Sequence, residues 1–151
     1  MTLTVHIESP LTQDAAILIQ GSEAALRDVY TADECFSFTA AELDKPGISF
    51  FVARSNGAPV GCVALCAYET YGEIKRLYVD PTGRGLGIAK TLMAALETHA
   101  KDASLDQIKL ETGDKLAAAV ALYGRLGYKI CGPFGDYSEH PASLFMEKSL
   151  I

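Results

Sequence analysis

The sequence lacks a long apolar run, an excess of positive charge, and any stretch biased toward proline, serine or one charge sign. Its longest apolar runs, Ile48–Ala53 and Val60–Ala67, fall well short of the ~18 residues of a membrane-spanning helix, so we expect no membrane partner. Nineteen acidic and thirteen basic residues give a formal net charge of −6, which opposes binding to nucleic acid. A hydrophobic content of 49% excludes a disordered or collagen-like chain.

Cysteine and histidine are scattered without the spacing of a metal site. The sequence holds no CxxC pair, and its cysteines are Cys35, Cys62, Cys66 and Cys131. Cys62 and Cys66 stand too far apart along one predicted strand to bridge each other. We therefore expect reduced, buried thiols and no metal ion. Because residues 1–10 show no basic segment followed by an apolar run, we expect a cytoplasmic protein.

A chain of 151 residues has the length of one domain, and we expect a single domain over residues 1–151. Periodicity and turn residues predict the order strand, helices, three strands, helix, strand, helix, two strands, which indicates a mixed-sheet α/β domain with α+β character. The predicted bounds are a strand at Leu3–Ile7; helix Thr12–Tyr30, kinked or divided at Gly21; strands Ser49–Arg54, Pro59–Tyr68 and Tyr71–Val79; helix Gly85–Asp102; strand Gln107–Thr112; helix Leu116–Leu126; and strands Tyr128–Cys131 and Ser143–Lys148.

Three local patterns support this order. Asn56-Gly57 lies between two apolar runs, which is the strongest short-range signal for a β-hairpin. The second run is apolar on both faces, so its strand is predicted to lie in a sheet that is covered on both sides. Thr39 and Glu42 have the spacing of a capping box at the start of a short helix.

The most informative segment is the glycine-rich turn Gly83-Arg-Gly-Leu-Gly87, between a predicted strand and a predicted helix. Glycines let backbone N–H groups crowd together, and the helix N-terminus adds partial positive charge, so the turn can bind a phosphate. Arg84 can add a charge-assisted hydrogen bond to the same anion. The turn matches neither the P-loop nor the dinucleotide-binding pattern, which leaves a nucleotide-phosphate binder poorly supported.

Two motifs resemble those of the GNAT superfamily of N-acetyltransferases. Arg84-x-x-Gly87-x-Ala89, after the strand that ends at Asp80-Pro81, resembles its acetyl-CoA signature. Leu122-Tyr123, followed by Leu126-Gly127-Tyr128, resembles its later helix. The resemblance spans residues 73–128 and implies a GNAT fold, in which helices flank both faces of a mixed, mostly antiparallel sheet of six to seven strands.

The resemblance implies a site for acetyl-CoA and an amine. Backbone groups of the strand would hold the pantetheine arm, and those of the turn would hold the pyrophosphate. The implied residues are Leu77, Tyr78 and Val79 in the strand, and Arg84, Gly85, Leu86, Gly87, Ile88 and Ala89 in the turn and helix. Many members carry an asparagine at the position of Leu116, so one contact with the cofactor is absent here.

Two residues are implied in catalysis. Tyr123 matches the tyrosine that protonates the departing CoA thiolate in many members; the alternative is an ordinary core tyrosine with a bonded hydroxyl. Glu73 matches a general base of some members; the alternative is a solvated carboxylate paired with Lys75 or Lys109. Glu69 and Glu111 are further candidate bases. Lys75 and Arg76 are predicted to be solvated.

The expected reaction is direct transfer of acetyl from acetyl-CoA to a small-molecule or peptide amine within a ternary complex. The resemblance also allows a homodimer, which is common in the family, and the sequence does not decide the oligomeric state. A non-catalytic acyl-CoA-binding or regulatory domain of the same fold is the alternative function. From chain position, the acceptor pocket is predicted to involve aromatic and polar side chains, namely Phe36, Phe38, Tyr68, Tyr71, Asp136, Tyr137 and His140.

Overall fold

The structure, a computed structural model, describes residues 2–31 and 38–151 and contains one seven-stranded sheet. The strands lie in the order β1-β2-β3-β4-β5-β7-β6, and every neighbouring pair is antiparallel except β4 and β5, which are parallel. The strands are β1 (Leu3–Ile7), β2 (Ile48–Ser55), β3 (Ala58–Ala67), β4 (Tyr71–Val79), β5 (Gln107–Gly113), β6 (Lys129–Cys131) and β7 (Ser143–Ser149). The helices are α1 (Gln13–Arg27), α2 (Ala40–Leu43), α3 (Ile88–Asp102) and α4 (Ala117–Arg125).

Apolar side chains cover both faces of the sheet, because successive residues of a strand point to opposite sides. On one face, α3 packs on Val63 and Leu65 of β3. On the other face, α1 packs on Cys62 and Ala64 of the same strand. The prediction that β3 is buried on both sides is therefore confirmed.

The predicted turn between β2 and β3 is also confirmed. Asn56 and Gly57 have φ values of +51° and +88°, which is the backbone that the favoured two-residue hairpin turn requires. The capping box before α2 is present as well, because Thr39 and Glu42 exchange side-chain-to-backbone hydrogen bonds of 3.0 and 3.2 Å.

Two predicted helix features are wrong. Gly21 does not divide α1, which is continuous from Gln13 to Arg27. The position instead accommodates the ring of Tyr78, since a Cβ on Gly21 would lie 2.6 Å from the Tyr78 hydroxyl. The helix predicted to begin at Gly85 begins at Ile88, because Gly85 and Gly87 adopt φ values of +82° and +76°, outside the helical region.

A β-bulge interrupts β4, and sequence patterning did not predict it. Lys75 is paired with Ala64 of β3, whereas Tyr78 is paired with Cys62, so three steps along β4 oppose two along β3. Arg76 takes up the extra residue with a φ of +56°. The bulge reverses the alternation. Leu77, which a regular strand would place on the same face as Glu73 and Lys75, packs on the α3 side instead.

Beyond the bulge, β4 and β5 diverge. Their parallel ladder pairs Tyr71–Ile74 with Gln107–Leu110. β4 continues to Val79 along β3, and β5 continues to Gly113 along β7. We call the space between residues 75–79 and 111–113 the strand opening. It lies at the end of β4 that leads into the glycine-rich turn.

Candidate active site

The glycine-rich turn directly continues the β4 edge of the strand opening. A single turn of 3-10 helix, Pro81–Gly83, joins β4 to the glycines, and Asp80 fixes it by accepting hydrogen bonds from the N–H and hydroxyl of Thr82 at 2.9 and 2.6 Å. These hydrogen bonds hold the pKa of Asp80 below its usual range. Gly87 then caps α3, whose first N–H groups have no partner within the helix. Leu77–Val79 and Arg84–Ala89 are therefore joined by this single turn and lead directly into α3.

The arrangement of the turn suits an anion. Gly85 and Gly87 are exposed, and a Cβ at either position would meet nothing within 4 Å, so no other group crowds the backbone there. Arg84 and Leu86 are exposed beside them. The partial positive charge at the start of α3 favours a phosphate at this point.

Glu73 and Lys75 form a buried ion pair on the α1 face of β4. Lys75 Nζ lies 3.1 Å from Glu73 Oε2, and the two side chains are 7% and 5% exposed. Tyr137 donates a hydrogen bond of 2.6 Å to the same carboxylate oxygen and accepts one from Lys75. Burial and the Glu73 carboxylate raise the pKa of Tyr137. The predictions of a solvated Lys75 and a solvated Glu73 are therefore wrong, whereas the Glu73–Lys75 pairing is present.

Arg76 is not solvated either, because the bulge turns its side chain toward α1. Its guanidinium donates hydrogen bonds to the Phe38 carbonyl and the Glu23 carboxylate at 2.9 and 2.8 Å, and its side chain is only 1% exposed. These contacts hold the irregular part of β4 against α1. Sequence patterning missed this role because the partners lie 38 and 53 positions away.

A cluster of aromatic rings adjoins the Glu73–Lys75 pair through Tyr137. We call the group Tyr68, Tyr71, Phe134 and Tyr137 the aromatic wall. Tyr68 stacks on Tyr71 with centroids 5.1 Å apart, and Phe134 meets Tyr71 and Tyr137 edge-on at 5.8 and 5.1 Å. Lys75 Nζ lies 4.6 Å from the Phe38 ring centroid and 5.1 Å from that of Tyr137.

The predicted acceptor residues come together only in part. Tyr68, Tyr71, Tyr137 and Phe38 meet around the ion pair, whereas Phe36 lies outside the described residues. Burial and the charge of Glu73 raise the pKa of Tyr68 and Tyr71, and the charge of Asp136 raises it further. The charge of His140 makes the smallest contribution to the pKa of Glu111, which it lowers. Phe134 was missed; its position between Pro133 and Gly135 in a predicted loop gives no sign that it packs against other rings.

Glu111 lies at the start of the strand opening, on the same face as Glu73. It is the first β5 residue beyond the ladder, and Ser143 donates a hydrogen bond of 2.8 Å to its carboxylate. Burial raises the pKa of this carboxyl, although Ser143 and the charge of Lys75 partly oppose the rise. A carboxylate of this kind can take up a proton closer to neutral pH than an exposed one.

Tyr123 lies in α4 with its side chain buried. Its ring meets that of Tyr128 edge-on at 5.7 Å. Burial raises the pKa of its hydroxyl, and the negative charge of Glu111 raises it further. Tyr123 is therefore protonated at neutral pH and within electrostatic range of Glu111.

Comparison with known proteins shows the family to which this chain belongs. The family model for the acetyltransferase (GNAT) family matches residues 16–128. This chain belongs to that family. It is 44% identical to IAA acetyltransferase from Azospirillum brasilense, over 98% of each chain. The predicted family and the predicted class of enzyme, an acyltransferase, are both confirmed.

Solved structures confirm the predicted GNAT fold. A Klebsiella pneumoniae protein, provisionally assigned as an acyl-CoA N-acyltransferase, superposes on this GNAT acetyltransferase with a TM-score of 0.85 at 32% identity, covering 99% of each chain. A Bacillus anthracis protein, provisionally assigned as a streptothricin acetyltransferase, matches with a TM-score of 0.62 at 25% identity, covering 71% of this chain and 65% of that one. Its crystal structure contains acetyl coenzyme A.

The thiols of this GNAT acetyltransferase are free wherever the structure describes them. Cys62 and Cys66 are buried, and burial raises their pKa to about 12 and about 11. Cys131 is partly exposed, so the prediction of a buried thiol is wrong there; Cys35 lies outside the described residues. No group of three metal-ligating side chains occurs within residues 2–31 and 38–151. Among the described helices, none is long and apolar enough for a membrane span.

Proposed function

We propose that this chain, acting as one N-acetyltransferase domain, moves an acetyl group from acetyl-CoA to a primary amine. The strand opening beside the glycine-rich turn is the observation that carries the proposal. Residues 77–79 border the opening on a strand whose other edge is paired with β3, so their backbone groups can bond an extended pantetheine arm. Arg84 and the N–H groups of Gly85–Ala89 would bind the pyrophosphate.

Glu111 is the general base that we infer for this reaction. The acceptor arrives mainly as an ammonium and must lose a proton before its nitrogen can attack the thioester carbonyl. Glu111 is partly exposed at the opening, and its pKa is raised by burial. Glu73, predicted from the sequence as the base, already holds Lys75 and Tyr137, and we assign it the role of orienting them.

Tyr123 supplies the proton that the departing CoA sulfur takes up. As the carbon–sulfur bond breaks, negative charge develops on the CoA sulfur, and a protonated phenol can donate a hydrogen bond and then its proton to that atom. The acceptor ammonium loses two protons on its way to the amide. Glu111 takes up the first before the nitrogen attacks and later releases it to solvent. The second, lost from the nitrogen of the tetrahedral intermediate, replaces the proton that Tyr123 gives to the CoA sulfur, so one proton is released per turnover.

We further propose direct transfer rather than an acyl-enzyme route. A cysteine nucleophile acts as a thiolate, and burial holds Cys62 and Cys66 in the thiol form at neutral pH. The alternative function, a non-catalytic acyl-CoA-binding domain, rests on the replacement of the family asparagine by Leu116. The acetyltransferase relatives make it the weaker hypothesis.

The test is initial-velocity kinetics of CoA release over a panel of amines, with the acetylated product identified by mass spectrometry. Lines that intersect in double-reciprocal plots are expected for a ternary complex, and parallel lines would instead support an acyl-enzyme. Binding of acetyl-CoA without release of CoA in the presence of any amine would favour the non-catalytic domain.

The pH profile separates the two candidate bases. In the wild type, kcat/KM should fall as the pH drops through the raised pKa of Glu111, because the carboxylate must be ionised to accept a proton. Glu111→Gln should lose about 100-fold in kcat/KM together with this acid limb. Glu73→Gln should keep the limb. The reverse result would assign the base to Glu73.

A further inference from the structure

Charges of opposite sign alternate across the α1 face of β4, β5 and β7. Glu73 is in register with Lys109, and Lys109 is in register with Glu147, to which it donates a hydrogen bond of 2.7 Å. The next positions along the parallel pair are Lys75 and Glu111, one step beyond the last ladder pair. A positive and a negative side chain therefore face each other where the two strands separate.

Each of these two charges is held in place by its own neighbours. Lys75 is fixed by Glu73 and Tyr137, and its ammonium lies beside the Phe38 ring. Glu111 is fixed by Ser143 at 2.8 Å. The two charges are anchored from opposite edges of the opening, and the Lys75 side chain is only 7% exposed. A ligand with adjacent positive and negative groups that reaches both has to share the Lys75 ammonium with Glu73 and Tyr137.

The aromatic wall adjoins the same two positions. Tyr71 precedes Glu73 and Lys75 on their face of β4 and contacts Phe134, which also packs against Tyr137. Phe145, in register with Glu111, packs edge-on against Phe134 and Tyr137 at 5.9 and 5.5 Å. An apolar or aromatic group attached to the ligand would therefore lie against rings rather than against water.

We propose that the acceptor is an amino acid with an aromatic or large apolar side chain. Glu111 binds its α-ammonium, Lys75 binds its carboxylate, and the aromatic wall receives its side chain. This inference rests on the proposed function. A polyamine would bring a second positive charge against Lys75, and a peptide N-terminus would offer it a neutral amide, so both classes fit the charge pair less well.

The test compares three acceptors that differ only at the carboxylate: phenylalanine, phenylalanine amide and phenethylamine. At saturating acetyl-CoA, the wild type should give a kcat/KM for phenylalanine at least tenfold above that for the amide. Lys75→Gln should reduce this ratio to about one, and Lys75→Arg should preserve it, because arginine keeps the charge. A ratio within one variant is insensitive to a general loss of active enzyme.

Two results would overturn the proposal. One is equal or better use of the amide or of phenethylamine by the wild type; the other is an unchanged ratio in Lys75→Gln. Acetylation of amines without preference for the carboxylate would leave the proposed function intact. If no amine is acetylated, calorimetric titration of phenylalanine and its amide into the CoA-loaded protein still decides the matter, since tighter binding of phenylalanine is expected and equal binding would contradict it.

Discussion

Burial and the nearby negative charge of Glu111 both raise the pKa of the Tyr123 hydroxyl. Both disfavour the phenolate, so the side chain keeps its proton at neutral pH. A group in this state can stabilise charge that appears only when the carbon–sulfur bond breaks, which lowers the barrier without tightening the binding of the substrate. The hydroxyl should therefore matter for turnover and not for the affinity for acetyl-CoA.

Tyr123→Phe is accordingly expected to lower kcat by about 100-fold, the usual size of a general acid's contribution. Its dissociation constant for acetyl-CoA, measured by calorimetric titration, should stay at the wild-type value. The matched control is Tyr128→Phe, which removes another buried hydroxyl from a ring 5.7 Å away and breaks its 3.0 Å hydrogen bond to Glu97. A wild-type kcat in Tyr123→Phe would exclude the proposed proton donor.

The bulged strand and the glycine-rich turn together shape the active site. The bulge at Arg76 ends the regular pairing of β4 with β5, and the turn then presents backbone N–H groups at the start of α3. The turn was predictable because its glycines are close in sequence and their spacing is visible. The bulge was not, since a left-handed arginine is stabilised by α1 and by the Phe38 carbonyl, which only the fold brings near.

The difference between local signals and contacts made only in the fold also explains which other features the sequence predicted. Local signals, namely apolar runs, alternation and turn residues such as Asn56-Gly57, predicted each strand found in residues 2–31 and 38–151. Burial of Lys75 was missed because a charged residue in a strand suggests solvent, and its partner Tyr137 lies 62 positions away. The sequence also did not show why residue 21 is a glycine. The residue leaves space for the ring of Tyr78, which only the fold brings near.

Gly87→Ala tests the turn. A Cβ at a φ of +76° should lower the free energy of unfolding by about 1–2 kcal/mol through backbone strain. Loss of one well-placed amide hydrogen bond to a charged phosphate, about 1.5–3 kcal/mol, should also weaken acetyl-CoA binding about tenfold or more. Chemical denaturation and calorimetric titration measure the two effects.

Gly57→Ala is the matched control, because Gly57 has a φ of +88° and equally open surroundings but lies in the hairpin turn of β2 and β3. It should lose similar stability and keep the wild-type affinity for acetyl-CoA. If both variants weaken acetyl-CoA binding equally, the effect is one of stability and the turn has no direct role.

Across the protein, stability should depend on pH through the ion pairs that join the first strand to the rest of the sheet. Glu8, just after β1, accepts two hydrogen bonds from Arg54 of β2 at 2.9 and 2.8 Å, and Asp14 of α1 lies 2.9 Å from the same guanidinium. The Arg54 hydrogen bonds hold the pKa of Glu8 below 4.5. Its contribution is therefore fully present above about pH 4.5 and is lost as the pH falls through the lowered pKa.

Glu8→Gln should accordingly unfold with a free energy lower by up to about 1 kcal/mol at pH 7, the scale for partly exposed pairs. The difference from the wild type should vanish in acid, below the lowered pKa. Urea denaturation at several pH values measures it, with the exposed Glu139→Gln as the control for removing a surface carboxylate. A difference that persists in acid would mean that the glutamine disturbs the structure rather than the charge.

Thermal unfolding of the wild type with increasing acetyl-CoA tests most directly whether the protein binds this cofactor. ATP and NAD at the same concentrations are the controls. At about a hundredfold excess over its dissociation constant, a ligand specific for the folded state adds about 2.7 kcal/mol, which raises Tm by several degrees for a protein of this size. We predict this rise for acetyl-CoA alone. An unchanged Tm with acetyl-CoA, or an equal rise with ATP or NAD, would contradict the assignment of the strand opening and the glycine-rich turn as an acetyl-CoA site.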